Sequence, residues 1–173
     1  MAQRDIVAFY SFSGKTERVA DYIAAQLGCG EVRINEAKKR SAFSAFLMGS
    51  LAAMQHKPSK LAPLDFNSSA VAEIYLCTPI WAGNITPAAV SFLQKYMVQG
   101  KNVRIITTAS GAENKALFQN IKPIVEGIGC KFVGLLQLNP KVDGFDAVTS
   151  GKEGAKLGVD VLSPDVWQIK PNI

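Results

Sequence analysis

Residues able to hold a phosphate fall together at Ser11-Phe12-Ser13-Gly14-Lys15-Thr16, between an apolar run and a stretch of helical period. Hydroxyls stand at alternate positions, and Gly14 lets the backbone approach a ligand closely. A helix starting here presents N–H groups with no partner inside the helix, equivalent to about half a positive charge. Lys15 adds a whole charge in the same direction, so a monophosphate dianion is better matched than a neutral ligand. Gly14-Lys15-Thr16 resembles the end of a nucleotide triphosphate loop, but the glycine that loop needs five residues earlier is Phe9, so the ATPase reading fails on spacing. No Gly-x-Gly-x-x-Gly follows the run, which disfavours a dinucleotide pyrophosphate site. The competing reading is structural: a capped helix with Ser13 or Thr16 as N-cap.

Thr78-Pro79-Ile80-Trp81-Ala82-Gly83-Asn84-Ile85-Thr86-Pro87 places a large aromatic beside a small flexible pair, ahead of a helix whose first residue is proline. A flat ligand can stack on Trp81 while the backbone of Ala82, Gly83 and Asn84 reads its polar edge; alternatively Trp81 plugs the core. The stretch from Thr107 through Thr108, Ala109, Ser110 and Gly111 to Asn114 is small and hydroxyl-rich, suited to closing over a ligand edge or to a plain solvated turn.

Other chemistry-bearing residues read more plainly. His56 is the single histidine, with nothing spaced to make a triad or a multi-histidine metal site, and a surface or interface place is expected for it. Cys29, Cys77 and Cys130 lie far apart, without metal or redox spacing, and are expected as reduced, buried packing residues. No Cys-x5-Arg follows from Cys77, which excludes a phosphatase loop. The Lys38–Arg40 run and the apolar stretch Phe43–Met54 are expected as a solvated basic turn and a helix covering the sheet or the ligand edge.

Short β-rich runs alternate with helical stretches and carry these loops. Strands are expected at Ile6–Tyr10, Val32–Ile34, Val71–Cys77, Val103–Thr107 and Lys131–Leu138, and helices at Thr16–Leu27, Pro87–Val98 and Asn114–Gly127, with a weaker helical stretch after the last strand. Such alternation specifies an α/β fold with a parallel sheet, and strands apolar throughout are covered on both faces. Ligands of such sheets bind at the carboxyl ends of the strands, where the loops above fall. The crossover Asn35–Ser69 is read as part of the same unit, so residues 1–173 are expected as a single domain with a C-terminal tail from about residue 162 packed back on it.

Of 173 residues 48% are hydrophobic and 19% charged, which is globular rather than disordered. The net charge of +5 favours anionic partners, but the basic residues are too scattered for nucleic-acid binding. The longest apolar stretch, Ala42–Met54, falls short of the roughly 20 residues of a bilayer span. The N-terminus does not read as a secretory leader, and a cytoplasmic place is expected.

Taken in order, the loops resemble the flavodoxin family. Ser11, Ser13, Gly14 and Thr16 match its phosphate loop, and Pro79, Ile80, Trp81 and Gly83 its Pro-x-Trp loop over the flavin ring; Thr108 to Gly111 match its third loop more loosely. The likeness runs from about Asp5 to Leu138. It implies a flavodoxin-like three-layer sandwich, a five-stranded parallel sheet of order 2-1-3-4-5, and noncovalently held FMN. It further implies a binding set of Ser11, Phe12, Ser13, Gly14, Lys15, Thr16, Pro79, Ile80, Trp81, Ala82, Gly83, Asn84, Thr108, Ala109, Ser110 and Gly111, with no side chain acting as catalytic acid or base. Carriers of that family are typically acidic and often enclose the flavin between two aromatics. This chain is basic and has no aromatic between Thr107 and Lys115. Three functions follow as expectations: electron transfer with a redox partner protein, NAD(P)H-dependent reduction of a quinone or other small acceptor, or a non-redox flavin-binding or interaction module.

Overall fold

The computed structural model describes residues 4–38, 58–97 and 100–168. The expected helix Phe43–Met54, His56, Lys39 and Arg40, and residues 169–173 of the tail lie outside the described residues.

Five parallel strands, β1 (Arg4–Phe9), β2 (Gly30–Arg33), β3 (Val71–Trp81), β5 (Asn102–Thr108) and β6 (Lys131–Leu138), pair in the order β2-β1-β3-β5-β6. Counting parallel strands alone, that is the expected 2-1-3-4-5. A sixth strand, β4 (Asn84–Ile85), was not expected; it pairs antiparallel with the end of β3, Ile80 opposite Ile85 and Trp81 opposite Asn84. The expected strand ending at Cys77 therefore runs four residues further. The cause is tertiary: Thr78 and Pro79 find register partners in Thr107 and Thr108 of β5, and Ile80 and Trp81 find theirs in β4.

Alternation along the strands divides the core into two layers. Ala8, Ile74, Leu76, Val103, Ile105 and Leu135 face one side, against α2 (Pro87–Tyr96) and α3 (Leu117–Gly127). Val7, Phe9, Tyr75, Cys77, Ile106 and Leu136 face the other, against α1 (Lys15–Leu27) and α4 (Phe145–Ser150). Both sets are apolar, which explains why the strands show no polar face in sequence.

Helix ends obey local rules. α1 buries Val19, Ala20, Ile23 and Ala24 on one face and stops at Gly28, whose φ of 61° is left-handed. α2 starts with Pro87 behind Thr86, whose hydroxyl accepts the N–H of Ala89. α3 begins at Leu117, three residues after the expected start, because Asn114 is drawn into a turn by its own side chain, which accepts the N–H of Ala116. Beyond α4 the chain passes Leu157 and Val161, both buried, to Trp167, which packs on Tyr75 and under the Arg104 guanidinium. Gln168 and Leu135 exchange backbone hydrogen bonds at 2.9 and 3.1 Å, covering part of the open edge of β6. No helix among the described residues is long and apolar enough to cross a membrane.

The three cysteines are free thiols. Cys77 has no exposure, and burial, with Glu31 and Cys29 adding, pushes its pKa far up; burial also raises Cys29 and Cys130. An alkylating reagent at mildly alkaline pH is therefore expected to modify the half-buried Cys29 first and slowly, and Cys77 only on unfolding. An unfolded Cys77 ionises from its ordinary value of 9.0 whereas the folded thiol does not, so stability is also expected to fall as pH rises past 9.0. Timed labelling with mass mapping and alkaline denaturation curves check both.

Candidate functional site

The carboxyl ends of β1, β3 and β5 lie side by side, and their loops enclose a cleft of about 380 Å³. Ten expected residues line it: Phe12, Ser13, Lys15 and Thr16 from the first loop, Pro79, Ile80 and Trp81 from β3, and Thr108, Ala109 and Ser110 from the third.

At one end stands the start of α1. Its N-cap is Gly14, at φ 88° and without any side-chain cap, so the capped-helix reading with Ser13 or Thr16 as N-cap is not what forms. The Ser11 hydroxyl instead accepts the N–H of Gly14 at 3.1 Å. The N–H groups of Lys15, Thr16 and Glu17 have no partner among the described residues, and the first backbone bond of the helix runs from Arg18 to Gly14 at 3.2 Å. The space a side chain on Gly14 would enter is empty. Ser13 and Lys15 are exposed beside these donors. Together they offer a concave patch of N–H donors, a hydroxyl and an ammonium group, which suits an anion.

Thr16 takes a different part from the one expected. Its side chain is buried, and its hydroxyl lies 2.8 Å from that of Thr108, tying the first loop to the third across the cleft floor. Replacing either threonine with valine leaves the other hydroxyl buried and unpaired, at an expected cost of about 1–3 kcal/mol. Changing both removes the orphan, so the double variant should be more stable than the sum of the singles implies. Urea denaturation of the four proteins of this cycle checks it.

At the other end the Trp81 indole is half-buried on the core and lines the cleft, meeting Tyr10 edge-on at 5.8 Å and Phe12 at 6.2 Å. It thus packs and presents a surface at once. Phe12 is 43% exposed, a large apolar side chain left at the rim. The turn behind Trp81 consists of Ala82 and Gly83, both with positive φ, 48° and 76°, the type I′ pattern of a two-residue hairpin. For alanine that conformation costs roughly 1–2 kcal/mol, strain held at the edge of the site.

Six expected residues do not line the cleft. Ser11 faces a neighbouring cleft and serves the loop backbone; Gly14 shapes the helix start; Gly111 lies exposed further along the third loop. Ala82 and Gly83 form the turn of the hairpin, and Asn84 opens its return strand. The Gly83 carbonyl accepts from Asn120 Nδ2 at 3.0 Å, and the buried Asn84 accepts the Ile85 N–H on its own Oδ1 at 2.9 Å. Of the groups expected to meet a ligand edge, the Gly83 carbonyl is thus engaged by Asn120, and the Asn84 side chain by its own turn.

Phe145, the first residue of α4, lines the cleft although the sequence reading passed over it. An aromatic following Gly144 at a helix start, just past the last strand, is the signal available for it. Asn114, Asn120 and Gln137, which hold the second and third loops, carry no motif at all.

A parallel sheet of order 2-1-3-4-5, helices on both faces and a cleft at the strand ends where the order reverses define the flavodoxin-like fold, and this chain has it. A candidate flavoprotein from Bacteroides uniformis ATCC 8492 superposes with a TM-score of 0.71 at 20% identity, over 87% of this chain and 97% of that one. A flavoprotein from Lactobacillus acidophilus NCFM, solved in complex with FMN, does so at 0.62 and 18% identity, over 79% and 93%. The apo form of an NADH:FMN oxidoreductase gives 0.52 at 16% identity, over 86% of each chain. No protein-family model and no curated protein matches the sequence.

Proposed function

We propose that this chain binds FMN noncovalently in the cleft and works in electron transfer. The observation that carries the reading is the convergence, in one cleft of about 380 Å³, of an uncapped helix start with Ser13 and Lys15 at one end and Trp81 and Phe12 at the other. That is a dianion seat and an aromatic seat, the two chemistries of a phosphorylated flat ring. The residues present fit the group: the free N–H donors of α1 and Lys15 would hold the phosphate, and Trp81, Phe12 and the third loop would hold the ring. When bound, the ring supplies the redox chemistry. The protein binds, orients and shields it, with no side chain needed as acid or base.

The partner is either a redox protein or NAD(P)H with a small acceptor. The basic charge and the absence of a third-loop aromatic favour an oxidoreductase that admits a pyridine nucleotide, and the likeness to an NADH:FMN oxidoreductase supports it. Titrating the purified chain with FMN should quench the flavin fluorescence with a one-to-one end point; a chain that leaves it unquenched refutes the reading. Mixing the loaded protein anaerobically with NADH or NADPH then separates the roles. Rapid bleaching identifies an enzyme, and bleaching only after a reductase is added identifies a carrier.

A further inference from the structure

The third loop has little to hold it. Ser110, Gly111, Ala112 and Glu113 are exposed, so burial does not place them and a few polar bonds must. Two of them come from one side chain. The Gln137 amide, one residue before the end of β6, accepts the Asn114 N–H at 3.0 Å and donates to the Asn114 carbonyl at 3.0 Å. A side chain thereby imitates the paired backbone bonds that neighbouring strands exchange. The tail braces the arrangement: Gln168 Nε2 donates to Glu113 at 2.7 Å, and its Oε1 lies 3.5 Å from Gln137 Nε2.

Asn114, held this way, reaches the second loop. Its Nδ2 lies 3.5 Å from the point where a side chain on Gly83 would begin, while Asn120 holds the Gly83 carbonyl from α3. The strained Ala82-Gly83 turn, and with it the Trp81 strand end, is thus held by one hydrogen bond from α3, with Asn114 of the third loop beside it.

We propose that Gln137 is a positioning residue for the cleft, splinting the third loop, which lies beside the Trp81 hairpin, without touching a ligand. The proposal rests on the FMN reading for its consequence in binding, and stands on the geometry above for its consequence in the loop.

The test uses the full chain and Gln137→Leu, which keeps the bulk and removes both bonds, with Gln137→Glu, which keeps the acceptor and loses the donor. Without cofactor, amide exchange at Asn114, whose N–H Gln137 accepts, should quicken about tenfold or more in Gln137→Leu, and less in Gln137→Glu, while β1 and β5 keep their protection. FMN and riboflavin should weaken by the same factor, about tenfold, because the phosphate end is intact. Unchanged exchange in the loop, a rise spread over β1 and β5, or a loss for FMN with riboflavin unaffected would each overturn the proposal. A wild-type chain that fails to take up either flavin sinks the FMN reading instead, and the exchange comparison then decides this one alone.

Discussion

Gly144→Ala is expected to remove a large share of the stability of the fold, about 4 kcal/mol or more out of the 5–15 kcal/mol typical of a domain. Gly144 precedes α4 at φ 76°, where any side chain already costs about 1–2 kcal/mol. A Cβ there would also stand 1.8 Å from the Lys156 carbonyl oxygen and 2.9 Å from its carbon. Those are backbone atoms, and the following Leu157 is buried in the layer that holds Phe145 and Val148, so retreat means opening the core. Gly151 gives the contrast. Its φ is 74° and its Cβ would meet an atom at 1.8 Å too, but that atom is the tip of the Arg18 guanidinium, which swings away into solvent. Gly151→Ala should therefore cost only the backbone strain, about 1–2 kcal/mol. Urea midpoints of the two variants decide it: equal losses would show that the 156–158 segment yields as easily as an arginine side chain does. Because Phe145 borders the cleft, Gly144→Ala should also blunt ligand uptake before unfolding is complete.

The second large effect concerns the anion seat. Lys15→Ala should weaken FMN about tenfold, and Ser13→Ala about fivefold, from the loss of a charge-assisted bond and a neutral one. Together they should cost about 50-fold, while riboflavin, which lacks the phosphate, changes by less than about twofold. Lys15 is exposed, so its share should shrink as salt is raised, whereas that of Ser13 should not. Fluorescence titrations of both flavins at low and high salt measure all of these. Equal losses for FMN and riboflavin would move the phosphate away from α1. Thr16 is unsuited to this test: its hydroxyl is joined to Thr108, so its removal disturbs the loops whether or not a ligand binds.

The turn from β1 into α1 at Ser11–Thr16 was legible because helix starts and glycine turns are local chemistry, set by neighbours a few positions away. The same holds for Trp81, flagged by its type and its place after an apolar run. The functions of Thr16 and Gly83 were not legible, because what each polar group faces depends on partners far along the chain. Thr108 lies 92 residues from Thr16, and Asn120 lies 37 from Gly83. In sequence an unpaired hydroxyl and a paired one look alike; only the packing says which is free to bind.

By itself the order of residues determined the α/β class, the stop of α1 at Gly28, and which loops meet at the sheet end, while the strand order came from the resemblance of the loops to a known family. Period, glycine and proline act over one or two turns and need no distant partner. The tertiary structure alone decided that β3 runs on to Trp81 and folds back through β4, that Phe145 joins the cleft, and that Gln137 and Gln168 hold the third loop. Each of these rests on pairing or burial between segments far apart in the chain, which is settled only when the sheet assembles and every buried polar group must find its partner.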